Sequence, residues 1–100
     1  MKFQFDSAET KVALSGELTF ADYVTFRTVA DRLLKVSEPA IVIELSQLEF
    51  IDSAGLGMLL IARDEALKTN HNVILRNPQG QVKRVFAATR FESLFTIENA

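Results

Sequence analysis

The amino-acid sequence predicts a mixed α/β fold with a mostly parallel sheet of about four to five strands, packed by about three to four α-helices. Short apolar runs alternate with amphipathic segments of helical period, which is typical of strand–helix–strand units. Such crossovers imply parallel strands joined by right-handed connections. Two alternating segments precede the first helix and predict an N-terminal antiparallel hairpin, so the expected element order is ββαβαβαβ.

The first part of the chain contains the hairpin and one helix. Apolar and polar residues alternate at Phe3–Phe5 and again at Val12–Leu14, with a short polar connection between them. We expect Gly16 to end the second strand and to lead into a loop. A helix is predicted over 22–36, because its apolar residues recur on one face and Pro39 then disfavours further helix.

The second part of the chain continues the alternation of strands and helices. Ile41–Leu45 is short, β-branched and almost continuously apolar, which predicts a strand buried on both faces. The central helix follows and runs toward Lys68, and its apolar face is predicted to comprise Leu56, Leu59, Leu60, Ala66 and Leu67. A strand at Val73–Leu75, a short helix over 81–88 and an edge strand at Phe95–Ile97 complete the order.

Length and composition exclude several classes of protein. The chain has 100 residues, 48% of them hydrophobic, which predicts a single domain over 1–100 with one core. The 11 basic and 13 acidic residues are interspersed, so no basic stripe for nucleic acid is present. With no cysteine and one histidine we expect no disulfide framework, metal or cofactor. No signal peptide or membrane-spanning run is evident, so we expect a cytoplasmic domain without membrane association.

The stretch from Asp52 to Gly57 lies between the predicted buried strand and the apolar face of the central helix, at the start of that helix. Either Asp52 or Ser53 can accept a hydrogen bond from an unpaired helical N–H and is a candidate N-cap. From spacing alone, a helix cap is the favoured role of Ser53. Gly55 and Gly57 fall in the first helical turns, where each costs up to about 1 kcal/mol relative to alanine. We therefore expect both glycines to be structural, with Gly57 lying against a neighbouring element.

Enzymatic sites fit this stretch poorly. A nucleophile elbow has glycines two residues either side of its serine, but Ile51 occupies the first of these places before Ser53. The only histidine, His71, is expected to be a solvated turn residue at the far end of the central helix. Gly55–Gly57 lacks the third glycine of a dinucleotide fingerprint and the lysine of a P-loop. A receiver-like acceptor aspartate needs an acidic pair after the first strand, where only Asp6 stands. We expect no enzyme.

The eight residues Phe50-Ile51-Asp52-Ser53-Ala54-Gly55-Leu56-Gly57 resemble the signature of the STAS domain, the fold of bacterial anti-sigma factor antagonists. The segments Leu14–Leu18 and Phe91–Ile97 also resemble that family, so the resemblance covers the chain almost end to end. In the family, the serine at the position of Ser53 is phosphorylated by a partner kinase and dephosphorylated by a PP2C-type phosphatase. Where many members have Gly-Glu-Leu-Asp, this chain has Thr19 last, so a kinase would meet a different charge.

The resemblance implies a binding module that is switched by phosphorylation. The unmodified chain is expected to bind a serine-kinase anti-sigma factor and so free a sigma factor, and phosphorylation of Ser53 is expected to release that partner. We expect a monomer or a weak dimer. The binding surface is expected to comprise Thr19, Asp22, Asp52, Ser53, Ala54, Leu56 and Met58.

Two other classes of function remain open at this stage. A non-switching STAS subunit of a transporter or larger signalling assembly would form a stable complex indifferent to the state of Ser53. An enzyme acting on a small phosphorylated or acyl ligand at the helix tip would turn over by itself, although the sequence offers no base for that reaction. Neighbouring kinase and phosphatase genes would favour the switch, and transporter genes would favour the subunit.

Overall fold

The structure, a computed structural model that describes residues 1–99, has one five-stranded sheet in the order β1-β2-β3-β4-β5. The strands are β1 (Lys2–Phe5), β2 (Lys11–Leu18), β3 (Ala40–Ile51), β4 (Asn72–Arg76) and β5 (Thr96–Glu98). β1 and β2 form an antiparallel hairpin, and every other neighbouring pair is parallel. The predicted mixed sheet with an N-terminal hairpin is therefore confirmed.

The helices follow the predicted order. They are α1 (Tyr23–Leu33), α2 (Ser53–Lys68) and α3 (Gly80–Ala88), with 3-10 turns at Phe20–Asp22 and Phe91–Ser93. α1 and α2 pack against each other, whereas α3 packs against β3 and the second 3-10 turn. α1 is shorter than predicted, because a 3-10 turn replaces its expected start and the helix ends at Leu33, before Val36.

A single hydrophobic core joins the sheet to all three helices. Three aromatic rings extend it to the C-terminal segment, because Phe91 stacks between Phe86 and Phe95 at centroid distances of 4.9 and 5.1 Å. The fully buried side chains with the largest volumes include Leu14, Leu18, Leu33, Ile43, Leu45, Leu48, Ile51, Leu59 and Leu75. Several of these residues lie at the end of β2 and β3, and this anchors the corner from which α2 begins.

β2 and β3 are both longer than predicted. Gly16 does not end β2, because the strand continues to Leu18. Gly16 has a positive φ of 83° and lies where the pairing of β2 with β3 is irregular. β3 continues past Leu45 to Ile51, pairing with β2 alone after its pairing with β4 stops at Glu44. Exposed polar residues interrupt the apolar run in this second half, so hydrophobic periodicity did not reveal it. The extension brings β3 directly to the start of α2.

Two predictions about α2 and the turn after it are wrong. Leu67 is 56% exposed, so it does not belong to the buried face of α2. His71 is only 8% exposed and is not a solvated turn residue. Its Nδ1 lies 2.7 Å from Oγ1 of Thr69, and its Nε2 lies 2.7 Å from the backbone oxygen of Val36. The imidazole therefore joins the end of α2 to the segment that follows α1, a contact between parts of the chain far apart in sequence.

Candidate functional site

The candidate site lies at the corner between β3 and α2. Asp52 has extended backbone geometry and is the N-cap of α2, since its Oδ1 accepts a hydrogen bond from the Gly55 N–H at 2.7 Å. Its Oδ2 accepts a second hydrogen bond from the Phe20 N–H at 3.2 Å. One carboxylate thus caps α2 and ties the first 3-10 turn to it. Of the two candidate caps, Asp52 fills this role.

Ser53 is the first residue of α2 and is exposed. No group among residues 1–99 hydrogen-bonds its hydroxyl, because the cap is made by the residue before it. The hydroxyl stands beside the unpaired N–H groups and the positive end of the helix dipole. This position can receive a phosphate or a partner's hydrogen bond without taking a bond away from the fold.

Gly55 allows α2 to approach β2 closely. A Cβ atom at Gly55 would lie 2.5 Å from the backbone oxygen of Leu18 and 2.7 Å from Cγ1 of Ile51. The same Leu18 oxygen accepts a hydrogen bond from the Asp52 N–H at 3.2 Å. The expectation that Gly57 packs against a neighbour is wrong, because a Cβ at that position would meet nothing within 4 Å. The close approach belongs to Gly55, which lies on the side of α2 that faces the sheet.

Thr19 and Asp22 hold the 3-10 turn that stands beside the corner. The Asp22 carboxylate accepts hydrogen bonds from the Thr19 N–H at 2.9 Å and from the Met1 ammonium at 3.0 Å. Burial alone would raise the pKa of Asp22, but the hydrogen bonds from Thr19 and the nearby ammonium outweigh it and hold that pKa below its usual value. Asp22 therefore stays ionised, close to the Asp52 side of the site.

The other predicted surface residues are only partly exposed. Ala54 and Leu56 are half-buried, and Met58 is 6% exposed and lines a cleft between α1 and α2. Exposed apolar side chains at this end include Phe20, 76% exposed, and Tyr23, 48% exposed, and the neighbouring Val24 is 75% exposed. Phe20 and Tyr23 are not among the site residues that the sequence predicts. Helical periodicity does not predict the exposure of Phe20, because this residue lies in the 3-10 turn before α1.

Gln81 is a further part of the corner that the sequence analysis missed. Its Oε1 accepts a hydrogen bond from the Ile51 N–H at 2.9 Å, and its Nε2 donates one to the Ile51 carbonyl oxygen, also at 2.9 Å. The prediction placed residue 81 only at the start of a short helix. The contact spans 30 residues of sequence and has no local signature.

In the part of the chain that the structure describes, neither a metal-ligating group of side chains nor an imidazole lies beside Ser53. Within residues 1–99, no three side chains of the metal-ligating types form a group that could hold a metal ion. His71 lies beyond the other end of α2 and is engaged with Val36, so no imidazole stands beside Ser53. In the same part of the chain, every helix is too short or too polar to cross a membrane.

Comparisons of sequence agree with this architecture. The family model of the STAS domain matches residues 3–100 of the chain. A STAS-domain containing protein of Pseudomonas aeruginosa is 32% identical over 92 residues, which cover 92% of this chain and 90% of that relative.

Comparisons of structure identify the same fold. The crystal structure of a candidate anti-sigma factor antagonist from Thermotoga maritima has a TM-score of 0.79 and 22% identity, and the match covers 99% of this chain and 86% of that one. The structure of the anti-sigma factor antagonist SpoIIAA in its unphosphorylated form has a TM-score of 0.73 and 22% identity, covering 99% of this chain and 87% of SpoIIAA. The match to the family model and the 32% identical relative show that the chain belongs to the STAS domain family, and its sheet order agrees with this.

Proposed function

We propose that this protein is an anti-sigma factor antagonist whose choice of partner is set by phosphorylation of Ser53. Its unmodified form binds a serine-kinase anti-sigma factor and so frees a sigma factor. The kinase phosphorylates Ser53 and is released, and a PP2C-type phosphatase restores the binding form. The protein acts as a binding module and not as an enzyme. Membership of the STAS family supports this proposal, as do two fold neighbours described as antagonists.

The observation that carries the proposal is that Asp52 caps α2 while the neighbouring Ser53 stays exposed. A serine that capped α2 would have its hydroxyl oxygen engaged with a helical N–H, and that hydroxyl would be less open to a kinase. Here the Asp52 carboxylate makes the cap bond to the Gly55 N–H, and the Ser53 hydroxyl is exposed. A phosphate adds a charge of about −1.5 to −2 at neutral pH, and a helix N-terminus is a favourable place for it. Modification therefore changes the surface and leaves the fold intact.

The charges around Ser53 decide the direction of the switch. Asp52 is its direct neighbour in sequence, and the Asp52 carboxylate contacts the 3-10 turn that holds Asp22. A partner that docks on this corner removes water from residue 53. A hydroxyl loses little if it finds one hydrogen bond, whereas a phosphate beside a carboxylate must shed a strong hydration shell. Phosphorylation therefore weakens binding, while exposed Phe20 and Tyr23 offer apolar contact in both states.

Titration calorimetry tests the switch against a purified serine-kinase anti-sigma factor from the same organism. We expect Ser53→Asp to weaken binding by at least roughly tenfold, which is about 1.4 kcal/mol. Ser53→Ala should bind as wild type does, because it removes only a hydroxyl. The matched control is Ser37→Asp, which adds the same charge at an exposed serine in the connection between α1 and β3. This control should also bind as wild type does.

Phosphate mapping after incubation with the kinase and ATP completes the experiment. One phosphate should be found on Ser53, and Ser53→Ala should abolish it. Phosphate on another residue would remove the basis of the proposal. Equal affinities for wild type and Ser53→Asp would favour a non-switching subunit, and tighter binding of Ser53→Asp would mean that the partner recognises the phosphorylated form.

A further inference from the structure

We propose that Gln81 of α3 is a positioning residue for Ser53. Its side-chain amide takes the place of a missing strand neighbour and holds the β3–α2 corner in the geometry that presents Ser53 to the kinase. The inference rests on the proposed function of Ser53 as the modification site, and it adds α3 to the elements on which that modification depends.

Beyond Glu44, one edge of β3 has no strand beside it within residues 1–99. β4 pairs with β3 only from Ala40 to Glu44, so the later residues of β3 have no strand on that side. Ile51 is 1% exposed, and an unpaired backbone N–H or C=O at a buried position is costly. A carboxamide carries the same donor and acceptor as a peptide group, so the Gln81 side chain can satisfy both groups of Ile51 at once. The two hydrogen bonds, each 2.9 Å long, have this reciprocal geometry.

The corner is held from two sides. The Ile51 backbone is held by Gln81, and the next residue, Asp52, donates its N–H to the Leu18 oxygen of β2 at 3.2 Å. Gln81 is itself well placed to act as a fixed support, because the adjacent Val82 is fully buried and anchors the first turn of α3 in the core. The two residues before Ser53 are thus fixed by β2 on one side and by α3 on the other.

The Ser53 side chain is exposed and makes no hydrogen bond with residues 1–99, so its placement depends on the backbone before it. Phosphoryl transfer requires the hydroxyl to be aligned with the donor phosphate, and small misplacements lower the rate strongly. Removing the Gln81 amide allows the Ile51–Asp52 peptide to move and should slow transfer to Ser53.

Two variants and one control separate this role from a general loss of stability. Gln81→Ala removes both hydrogen bonds to Ile51. Gln81→Glu has nearly the same shape and keeps the acceptor, but it loses the donor to the Ile51 carbonyl. The matched control is Gln79→Ala, because Gln79 is exposed and its amide donates only to the Asn77 carbonyl, at 3.3 Å. All are compared under conditions in which circular dichroism shows them fully folded.

Amide hydrogen exchange directly tests the clamp, that is, the two hydrogen bonds between the Gln81 side chain and the Ile51 backbone. In Gln81→Ala the Ile51 amide should exchange at least about tenfold faster than in wild type, while the Ile43 amide in the middle of β3 stays as protected as before. Gln81→Glu should keep the Ile51 amide protected, and Gln79→Ala should match wild type. Unchanged exchange at Ile51 in Gln81→Ala would overturn the proposal.

Phosphorylation by the partner kinase tests the positioning role. We expect kcat/KM for Ser53 to fall at least about fivefold in Gln81→Ala and in Gln81→Glu, but not in Gln79→Ala. Wild-type phosphorylation of Gln81→Ala together with faster exchange at Ile51 would overturn the positioning role and leave the proposed function of Ser53 standing.

A thiol probe tests the same geometry without the kinase. The chain has no cysteine, so Ser53→Cys introduces a single thiol at the exposed start of α2. The rate at which this thiol reacts with a chromogenic aromatic disulfide depends on the fraction present as thiolate. Ordered N–H groups at a helix start stabilise the thiolate and so increase that fraction. Adding Gln81→Ala should lower this rate at least about threefold, and adding Gln79→Ala should not. If no kinase modified the wild-type protein, the proposed function would fail, and an unchanged thiol rate would independently overturn the role of Gln81.

Discussion

Replacing Gly55 by alanine tests whether the close approach of α2 to β2 holds the functional corner together. The new Cβ would lie 2.5 Å from the Leu18 oxygen, about 0.9 Å short of the 3.4 Å at which ordinary van der Waals contact begins. That oxygen belongs to the backbone and cannot rotate away as a side chain could. It also accepts the hydrogen bond from Asp52, so a shift of β2 or α2 weakens the link that precedes Ser53.

The expected magnitude combines opposing effects. Overpacking of this kind costs about 1–3 kcal/mol, and weakening the hydrogen bond from Asp52 to Leu18 costs up to about 1.5 kcal/mol. The better helix propensity of alanine offsets up to about 1 kcal/mol. We therefore expect Gly55→Ala to lower the free energy of unfolding by about 1–3 kcal/mol. In a domain of this size each kcal/mol lowers Tm by roughly 4–8 °C.

Gly57→Ala is the matched control on the same helix. No atom would lie within 4 Å of its Cβ, so the substitution should raise the free energy of unfolding by about 0.4–1 kcal/mol. Urea unfolding followed by circular dichroism measures both variants, with the slope of each transition checked against wild type. If Gly55→Ala were as stable as Gly57→Ala, close packing at Gly55 would not hold the corner.

The remaining predictions concern stability. Because the pKa of Asp22 is lowered on folding, its carboxylate stabilises the fold above its unfolded pKa, and this contribution is lost as pH falls through the folded pKa. Acid titration followed by circular dichroism should therefore destabilise Asp22→Asn less than it destabilises wild type, and an equal loss of stability in both would contradict this role of Asp22. His71→Leu should lower the free energy of unfolding by about 1–3 kcal/mol, because it leaves the Val36 carbonyl without its partner. A wild-type urea midpoint for this variant would contradict that account.

The sequence alone was sufficient to predict the fold class and the order of elements. Strands and helices reveal themselves through short-range periodicity, and the hairpin at Phe3–Leu14 and the helix after Ser53 are both visible in neighbouring residues. The signature from Phe50 to Gly57 indicated the family for the same reason, because it is one continuous stretch. The place of the candidate site at the start of the central helix also follows from this local information.

Which residue plays which part in that site was decided only by the tertiary structure. Asp52 and Ser53 are equivalent candidates for the cap in sequence, and Gly55 and Gly57 are equivalent candidates for close packing. Which candidate fills each role depends on how α2 packs against β2, a contact between segments more than 30 residues apart. The clamp made by Gln81 depends in the same way on the docking of α3 beside the unpaired end of β3. Long-range packing leaves no periodic trace in the chain, so the structure was required to show it.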